Sequence, residues 1–443
     1  MSELVRTLTL RDLVLLIVGA VIGSGIFIVP GAVLRSVDAS VGVALLVWVF
    51  GGILSLVGAL TYGELSARNP KAGGLYNYIR DGFGSLPAFV YGWTMFFVIG
   101  NGATATLASA FSAYLNQIFA LTPVLSKLIS ILMIAFVTLI NVRGARRSSD
   151  VQNWTTAVKV SVILIMSIAL FVLGRNSTHL YTKLWPDSWS IATFSSAGVA
   201  MIGVLWAYEG WQFATFSGSE VIQPERNYPR AFLAGLLVLI FIYLVANLSY
   251  VSALGPAAAT TDSIAASAVS VVVGGWAGKV VAAAILISIF SAANSIALTL
   301  PRVFYAMAKD RLFFGKLAEV HSHFRTPVFA IVAGSVWAII LTLTGTFQQL
   351  FTYVVFGGWI FYALAAASIF PLRKHSPETK SGYKVPGYPY TPIVFILAAA
   401  ALVINTIIRQ PRESVAGLII IATGIPAYFF WYRKRLASQR LGG

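Results

Sequence analysis

The stretch Ile17–Val29, which reads IVGAVIGSGIFIV, decides the fold of this chain. It lies in the first long apolar segment, yet it places three glycines and a serine where a membrane-crossing helix would be continuous. Interrupted backbone at the depth of a bilayer is tolerated only where it is buried in protein or lines a cavity. The stretch therefore predicts a broken helix beside a functional site.

The composition indicates a protein that crosses a bilayer many times. Of 443 residues, 58% are hydrophobic and only 10% are charged, with a mean hydropathy of +0.82, whereas soluble domains are about one quarter charged. A crossing helix needs about 20 mostly apolar residues, and the intervening charges, prolines and glycines divide the chain into twelve such segments. The predicted spans are 12–34, 41–66, 84–117, 124–142, 151–174, 194–218, 230–254, 272–305, 327–345, 348–371, 391–408 and 414–432.

The connections between these spans are too short to hold a soluble domain, so residues 1–443 form one transmembrane domain. The net charge of +16 comes mostly from Lys and Arg in the loops that lie inside when the amino terminus is inside. That distribution follows the positive-inside rule rather than nucleic-acid binding. It predicts a multi-pass protein of the plasma (inner) membrane, with both termini cytoplasmic and no cleavable signal peptide.

The chain contains no cysteine, which excludes disulfides and thiolate metal sites. Its four histidines lie in loops without ligand-like neighbours, so we expect no metal site and no cofactor. The histidines are His179, His321, His323 and His375.

A second interruption occurs in the sixth predicted span, five spans after the first. Residues 206–211 read WAYEGW, with a glutamate and a glycine inside the apolar segment. Paired interruptions at corresponding positions of two halves indicate a transporter built from inverted repeats, with the substrate bound between them. We expect an all-α integral membrane fold with repeats at about 12–174 and 194–371, discontinuous first and sixth helices, and two extra helices within about 391–432.

Half-helices expose unpaired N–H groups at one end and C=O groups at the other. The first break could hold a carboxylate through N–H groups, and carbonyls near both breaks could hold an ammonium, so an α-amino acid matches both. The alternative is that the glycines only allow close helix packing. The candidate substrate-binding residues are Ile22, Gly23, Ser24, Gly25, Ile26, Trp206, Ala207, Tyr208, Glu209 and Gly210.

Several longer motifs resemble the amino acid-polyamine-organocation superfamily, and most closely the prokaryotic members of its L-type amino acid transporter branch. These motifs are GAVIGSGIF (19–27), GELSARNPKAGGLYNYIRDGFG (63–84), WAYEGWQFATFSGSEVIQPERNYPRA (206–231), PRVFYAMAKDRLFFGKLAEVHSHFRTPVFA (301–330) and GYKVPGYPYTPIVFI (382–396). The resemblance implies a twelve-helix, five-plus-five inverted repeat of the LeuT-like type, and transport of amino acids by alternating access.

The resemblance also gives Lys159 a role. In sodium-independent relatives a lysine in the fifth helix, in a similar context, takes the place of a sodium ion and ties the first helix to the eighth. A lysine inside a span costs roughly 2.5 to 3.5 kcal/mol unless it finds interior partners; we expect the carbonyls of residues 19–22 and the hydroxyls of Ser288 and Ser291. Three readings stay open: a fixed charged pin, a group that couples transport to protons, or a side chain that reaches the cytoplasmic interface.

Glu209 is a carboxylate within a span, which is a functional hypothesis by default. It could pair with a cationic substrate, act as a protonatable switch, or hydrogen-bond to the unwound backbone. By resemblance, Trp206 closes over bound substrate, although aromatic residues in spans also serve packing. Tyr243 is a weaker gate candidate that could contact the first helix.

The sequence thus predicts a sodium-independent exchanger of small and medium-sized neutral L-amino acids. Proton-coupled symport, and a carrier that accepts cationic amino acids through Glu209, are the alternatives. An enzyme would need a reactive His/Asp/Glu constellation within the spans, and a channel would need pore-lining rings or a filter; neither pattern occurs. Since it has no cysteine for a disulfide-linked subunit, we expect the chain to function alone as a monomer in the lipid bilayer.

Overall fold

Long apolar helices joined by short connections make up nearly all of the computed structural model, which describes residues 4–116, 118–174, 183–261, 263–344, 347–375 and 382–441. The helices are α1 (Leu10–Val21), α2 (Gly25–Ser36), α3 (Val41–Arg68), α4 (Leu75–Phe83), α5 (Ser85–Thr94), α6 (Gly100–Asn116), α7 (Pro123–Val142), α8 (Ala145–Leu173), α9 (Ile191–Ala207), α10 (Pro224–Leu254), α11 (Ile264–Val273), α12 (Ala277–Thr299), α13 (Pro301–Lys309), α14 (Val328–Thr344), α15 (Phe347–Ala367), α16 (Ile369–His375), α17 (Tyr390–Arg409) and α18 (Pro411–Leu441). A π-helical turn, Met95–Ile99, joins α5 to α6.

Ten helical stretches of the described residues are long and apolar enough to cross a membrane, and α1 with α2 forms an eleventh that is bent by 50°. The prediction was twelve. The difference is the ninth predicted span, which corresponds to α14; its 17 residues are at the lower limit of about 17 for a crossing helix.

Several predicted boundaries differ from the structure. Helix α10 begins at Pro224 rather than at 230, and α18 extends to Leu441 rather than to 432. Helix α8 begins at Ala145 rather than at 151, because a polar first turn and a half continue the helix beyond the apolar segment. The eighth span begins at Ala277 rather than at 272, and the residues before it form the separate short helix α11. Gly274, with a φ of +111°, ends α11 because the left-handed region is accessible to glycine.

Both predicted interruptions are present. In the first span, α1 ends at Val21 and α2 starts at Gly25. In the sixth, α9 ends at Ala207 and is followed by a turn and then by the 3₁₀ segments Trp211–Phe216 and Gly218–Glu220.

The two halves share an order of elements that fits an inverted repeat. Each half has a broken first span followed by a long helix, α3 or α10, and then a short helix, α4 or α11. Helix α2 packs against α9, and α1 packs against the 3₁₀ segment that follows the second break. The breaks therefore meet in the interior, where α8, α10 and α12 also contact α1.

Candidate functional site

Lys159 lies at the carbonyl end of the first half-helix. Its side chain is 1% exposed, and its Nζ donates hydrogen bonds of 2.6 Å to the carbonyl oxygens of both Gly19 and Ile22. Because α8 starts at Ala145, Lys159 is about four turns from the helix start. This position leaves no route for the side chain to reach the cytoplasmic interface, so the ammonium is held inside the bundle.

Ser288, on α12, shares one of these acceptors. Its hydroxyl is within hydrogen-bond distance of the carbonyls of Ile22, at 2.9 Å, and Gly23, at 3.1 Å. The Ile22 carbonyl accepts from Lys159 Nζ and is the nearer of the two acceptors for the single Ser288 hydroxyl proton. That carbonyl is thus committed to the protein and is not free for a substrate ammonium.

Ser291, the other hydroxyl expected beside Lys159, belongs to an adjacent buried network. Gln152 Nε2 donates to Ser291 Oγ at 3.1 Å and to Thr156 Oγ1 at 3.2 Å, and Gln152 Oε1 accepts from Asn294 Nδ2 at 3.1 Å. Thr156 Oγ1 in turn donates to the Leu15 carbonyl at 3.2 Å. The network ties α8 and α12 to α1, one turn away from Lys159.

The two breaks approach each other closely at Gly25 and Ala207. A Cβ built on Gly25 would lie 3.0 Å from Ala207 Cβ and 3.1 Å from its Cα. On the other side, Gly210 has a φ of +123°, and a Cβ there would lie 2.9 Å from the Ala20 carbonyl oxygen. A side chain at Gly25 would require Ala207 to move by a few tenths of an ångström, and at Gly210 both the backbone contact and the positive φ favour glycine.

Tyr243, on α10, braces the carbonyl ends of both half-helices. Its hydroxyl lies 2.8 Å from the Ala207 carbonyl and 3.3 Å from the Val21 carbonyl. The ring is fully buried and packs edge-on against Trp48, with Tyr208 beside it. Tyr243 is not among the residues that line the cavity described next, so its position favours a brace over the predicted gate.

A cavity of about 110 Å³ lies where the breaks meet. This is small beside the ~300–1,000 Å³ of sites for drug-sized ligands. The lining residues are Ala20, Val21, Gly23, Ser24, Gly25, Ala103, Thr106, Leu107, Ala110, Trp206, Ala207, Glu209, Gly210, Phe213, Ala292, Ile296 and Val354.

Seven of the ten residues predicted to bind substrate line this cavity. The other three, Ile22, Ile26 and Tyr208, are buried behind it. The sequence indicates further walls from the third, eighth and tenth spans but does not identify their residues, which in the third span lie at 103–110. The run of small residues in GATATLASA (102–110) was the available signal for the wall from the third span.

The cavity contains one end of a helix and one carboxylate. At the first break the Gly23 N–H donates to the Val21 carbonyl at 2.8 Å. Since α2 starts at Gly25, the N–H groups around Ser24 and Gly25 lie at the positive end of a helix dipole, where anions are favoured.

Glu209 supplies the carboxylate. Its Oε1 accepts a hydrogen bond of 2.9 Å from the Tyr362 hydroxyl, on α15. Among the described residues, Glu209 Oε2 is buried without a hydrogen-bond partner. Burying a carboxylate oxygen without a hydrogen-bond partner costs free energy, unless another group hydrogen-bonds to it or protonates it. Local sequence could not reveal Tyr362, because it is 153 positions away along the chain.

Ion pairs close the end of the bundle that carries the amino terminus. Glu220 and Arg302, each 1% exposed, form a two-point pair at 2.7 and 2.8 Å. The Glu220 carbonyl also accepts from the N–H groups of Thr7 and Leu8. The 3₁₀ segment Gly218–Glu220 is thereby bonded both to α13 and to residues 7–8, which precede α1.

A second pair of contacts joins further spans at the same end. Glu64, on α3, is bonded to Arg68 and to Arg373, on α16. Asp310, which follows α13, accepts from Arg80, on α4, at 2.6 Å. These charges lie near the helix ends that the sequence predicts to be cytoplasmic.

Paired broken helices around a small central cavity define a class of protein, the secondary transporter built from inverted repeats. Comparison with known families is more specific. The profile described as "Amino acid permease" matches residues 8–430, and the chain belongs to this family, whose members are transporters and not enzymes.

Individual relatives extend over nearly the whole chain. It is 34% identical to the serine/threonine exchanger SteT of Bacillus subtilis, over 96% of each protein. It is 32% identical to the large neutral amino acids transporter small subunit 2 of Mus musculus, covering 95% of this chain and 80% of that one. It is 30% identical to the b(0,+)-type amino acid transporter 1 of Mus musculus, covering 99% and 91%.

Proposed function

We propose that this protein exchanges small and medium-sized neutral L-amino acids across the plasma membrane, without sodium, by alternating access. The observation that carries the proposal is the Lys159 ammonium, which is bonded to two carbonyls at the first break beside the cavity. A fixed positive charge there occupies oxygen atoms that a sodium ion would otherwise need. The relatives named as a serine/threonine exchanger and a neutral amino acid transporter support the substrate class.

The chemistry of the cavity walls supports one orientation of the substrate. Its carboxylate binds at the helix start near Ser24 and Gly25, and its side chain lies against the small residues of α6. The volume of about 110 Å³ favours a small substrate. Trp206 lines the cavity and covers the substrate. Residues of about 12–174 and 194–371 form the two repeats, and α17 and α18 lie outside them.

We further propose that both termini are cytoplasmic and that one chain is sufficient for transport. The ion-paired end of the bundle carries the amino terminus and most of the basic loops, which the positive-inside rule places in the cytoplasm. The chain has no cysteine through which a second subunit could be disulfide-linked.

The unpartnered Oε2 of Glu209 favours a second candidate function. A proton or the side chain of a cationic amino acid would complete this oxygen, which would make the protein a proton-coupled symporter or a carrier of cationic substrates. The two candidates differ in what happens to uptake when arginine or a pH gradient is applied.

The test is uptake of labelled L-serine by the purified protein in proteoliposomes, with protein-free liposomes as the control. We expect fast saturable uptake only when the vesicles contain unlabelled serine or another neutral amino acid, and equal rates in sodium and choline buffers. Dependence on sodium would overturn the assignment of Lys159. Uptake into empty vesicles driven by a pH gradient, or strong inhibition by arginine alone, would support the second candidate instead.

A further inference from the structure

A second polar cavity, of about 290 Å³, lies at the ion-paired end of the bundle and is separate from the substrate cavity. Five segments form it: the residues before α1, the connection between α3 and α4, α4 itself, the 3₁₀ segment Gly218–Glu220, and the end of α13. The lining residues are Leu4, Lys71, Ala72, Asn77, Arg80, Ser219, Tyr305, Ala306, Lys309 and Asp310.

The cavity carries an excess of positive charge. Lys71, Arg80 and Lys309 line it, and Asp310 is the acid among the lining residues. Arg80 is paired with both Asp310 and Asp81, so among the described residues the unpaired positive charge comes from the two lysines. The Asp310 carboxylate is already bonded to Arg80 at 2.6 Å and to the Tyr76 hydroxyl at 2.9 Å. In the part of the chain that the structure describes, Lys71 and Lys309 form no ion pair, so their charges remain available to an anion.

The side chain of Lys309 lies against a tyrosine of its own helix, α13. Its ammonium lies 5.5 Å from the centre of the Tyr305 ring, one turn earlier on α13, and that ring is 7% exposed. Asn77 and Ser219 also line the cavity; Asn77 Nδ2 donates to the Ala72 carbonyl at 2.7 Å, and Ser219 Oγ accepts from the Ala72 N–H at 2.8 Å. A ligand with charged and hydroxyl groups would therefore find cations on three segments and neutral polar partners between them.

Two exposed phenylalanines lie close along the chain to the basic residues of this cavity. Phe83 ends α4 and is 41% exposed, and Phe314 follows α13 and is 57% exposed. Lys and Arg concentrated near helix ends are typical of the cytoplasmic side of a membrane. Basic pockets between helices on the cytoplasmic side suit anionic headgroups.

We propose that this cavity binds a phosphate-bearing anion, supplied by the headgroup of an anionic phospholipid. The phosphate lies between Lys71, Arg80 and Lys309, and headgroup hydroxyls reach Asn77 and Ser219. Because Ser219 and Ala306 belong to the segments that carry Glu220 and Arg302, the bound headgroup joins the elements that close this end of the bundle. The lipid thereby stabilises the closed arrangement.

The test measures the unfolding midpoint of the full-length protein in detergent against added short-chain phosphatidylglycerol, phosphatidylcholine or inorganic phosphate. The variant is Lys71→Gln with Lys309→Gln. The matched control is Lys374→Gln with Lys384→Gln, which removes the same charge from exposed lysines elsewhere at this end. Ligand that binds the folded state raises the midpoint, so an apparent Kd follows from each titration.

We expect phosphatidylglycerol to stabilise the wild type and the control, phosphatidylcholine to have little effect, and the Lys71/Lys309 variant to show an apparent Kd raised about tenfold or more. Equal apparent Kd values in the two double variants would overturn the proposal. Lysine-dependent stabilisation by inorganic phosphate but not by phosphatidylglycerol would keep the phosphate site and overturn its assignment to lipid. Midpoints without ligand that match between the variants show that both fold.

Discussion

At the scale of single residues, the chemistry of the site depends on two charged groups that the sequence places inside spans. Lys159 satisfies carbonyls at the break, as its context in the fifth span led us to expect, while Ser288 and Ser291 differ from that expectation in their partners. Ser288 shares the Ile22 carbonyl, and Ser291 is bonded to Gln152. Such pairings depend on rotation of α12 against α8, which hydrophobic periodicity does not specify to within one residue.

Lys159→Ala should lower serine exchange at least tenfold while the protein still reaches the membrane. The substitution leaves the Gly19 and Ile22 carbonyls short of a donor at bilayer depth, where unsatisfied backbone is costly, and it loosens the end of α1. The measurement is the initial rate of exchange in proteoliposomes, normalised to protein content. Lys279→Ala, at an exposed lysine of α12, is the control; equal rates in the two variants would remove Lys159 from the mechanism.

Glu209→Gln should leave serine exchange within about threefold of the wild type. The amide oxygen still accepts from the Tyr362 hydroxyl, and a neutral substrate does not need the lost charge. The measurement is the rate of exchange between pH 5 and 8, together with competition by arginine. A more than tenfold loss, or loss of a pH dependence seen in the wild type, would assign the charge of Glu209 to protons or to cationic substrates.

At the scale of elements, the sequence predicts the breaks well because glycine has a direct effect on the backbone. The runs around 23–25 and 206–211 place both interruptions correctly. Other boundaries were missed for a different reason: the start of α8 and the whole of α11 depend on contacts with distant helices rather than on apolar length. The cavity wall formed by residues in 102–110 was missed for a similar reason, since a run of small residues does not indicate which cavity it lines.

Gly25→Ala should impair transport strongly, because the new methyl group would meet Ala207 at 3.0 Å and push the two half-helices apart. Overpacking of this kind costs about 1–3 kcal/mol. The measurement combines the unfolding midpoint with the exchange rate. Gly198→Ala, on α9, is the control because a Cβ there has no atom within 4 Å; the contact argument fails if both variants behave alike.

Gly23→Ala tests whether a smaller cavity alone, without a steric clash in the fold, weakens substrate binding. A Cβ at this position meets no atom within 4 Å, yet Gly23 lines the substrate cavity. We expect an unchanged unfolding midpoint and a raised KM that grows with substrate size, from alanine to leucine. A KM that rises equally for all substrates would contradict a steric role in the cavity.

At the scale of the whole molecule, buried charge is concentrated at one end. Glu220→Gln should destabilise that closed end, because it leaves the Arg302 guanidinium buried without its carboxylate, a loss of about 3–5 kcal/mol. The expected result is a lower unfolding midpoint and faster labelling, by a thiol reagent applied from that side, of the single cysteine introduced by Ala292→Cys on α12, a position that lines the substrate cavity. Asp150→Asn, which removes a pair exposed by about half, should change neither quantity, since such pairs contribute about 0–1 kcal/mol.

The close approach of Gly25 to Ala207 also constrains the kinematics of the transport cycle. Helices whose backbones nearly touch through small residues resist sliding past each other, so α2 and α9 should move as one rigid unit. Helix α1 and the 3₁₀ segment Trp211–Phe216, which pack together, should move as a second unit. Motion then concentrates at the two glycine-marked hinges. Spin labels on α2 and α9 should keep a constant separation with and without serine, whereas labels on α1 and α9, one in each moving unit, should change their separation.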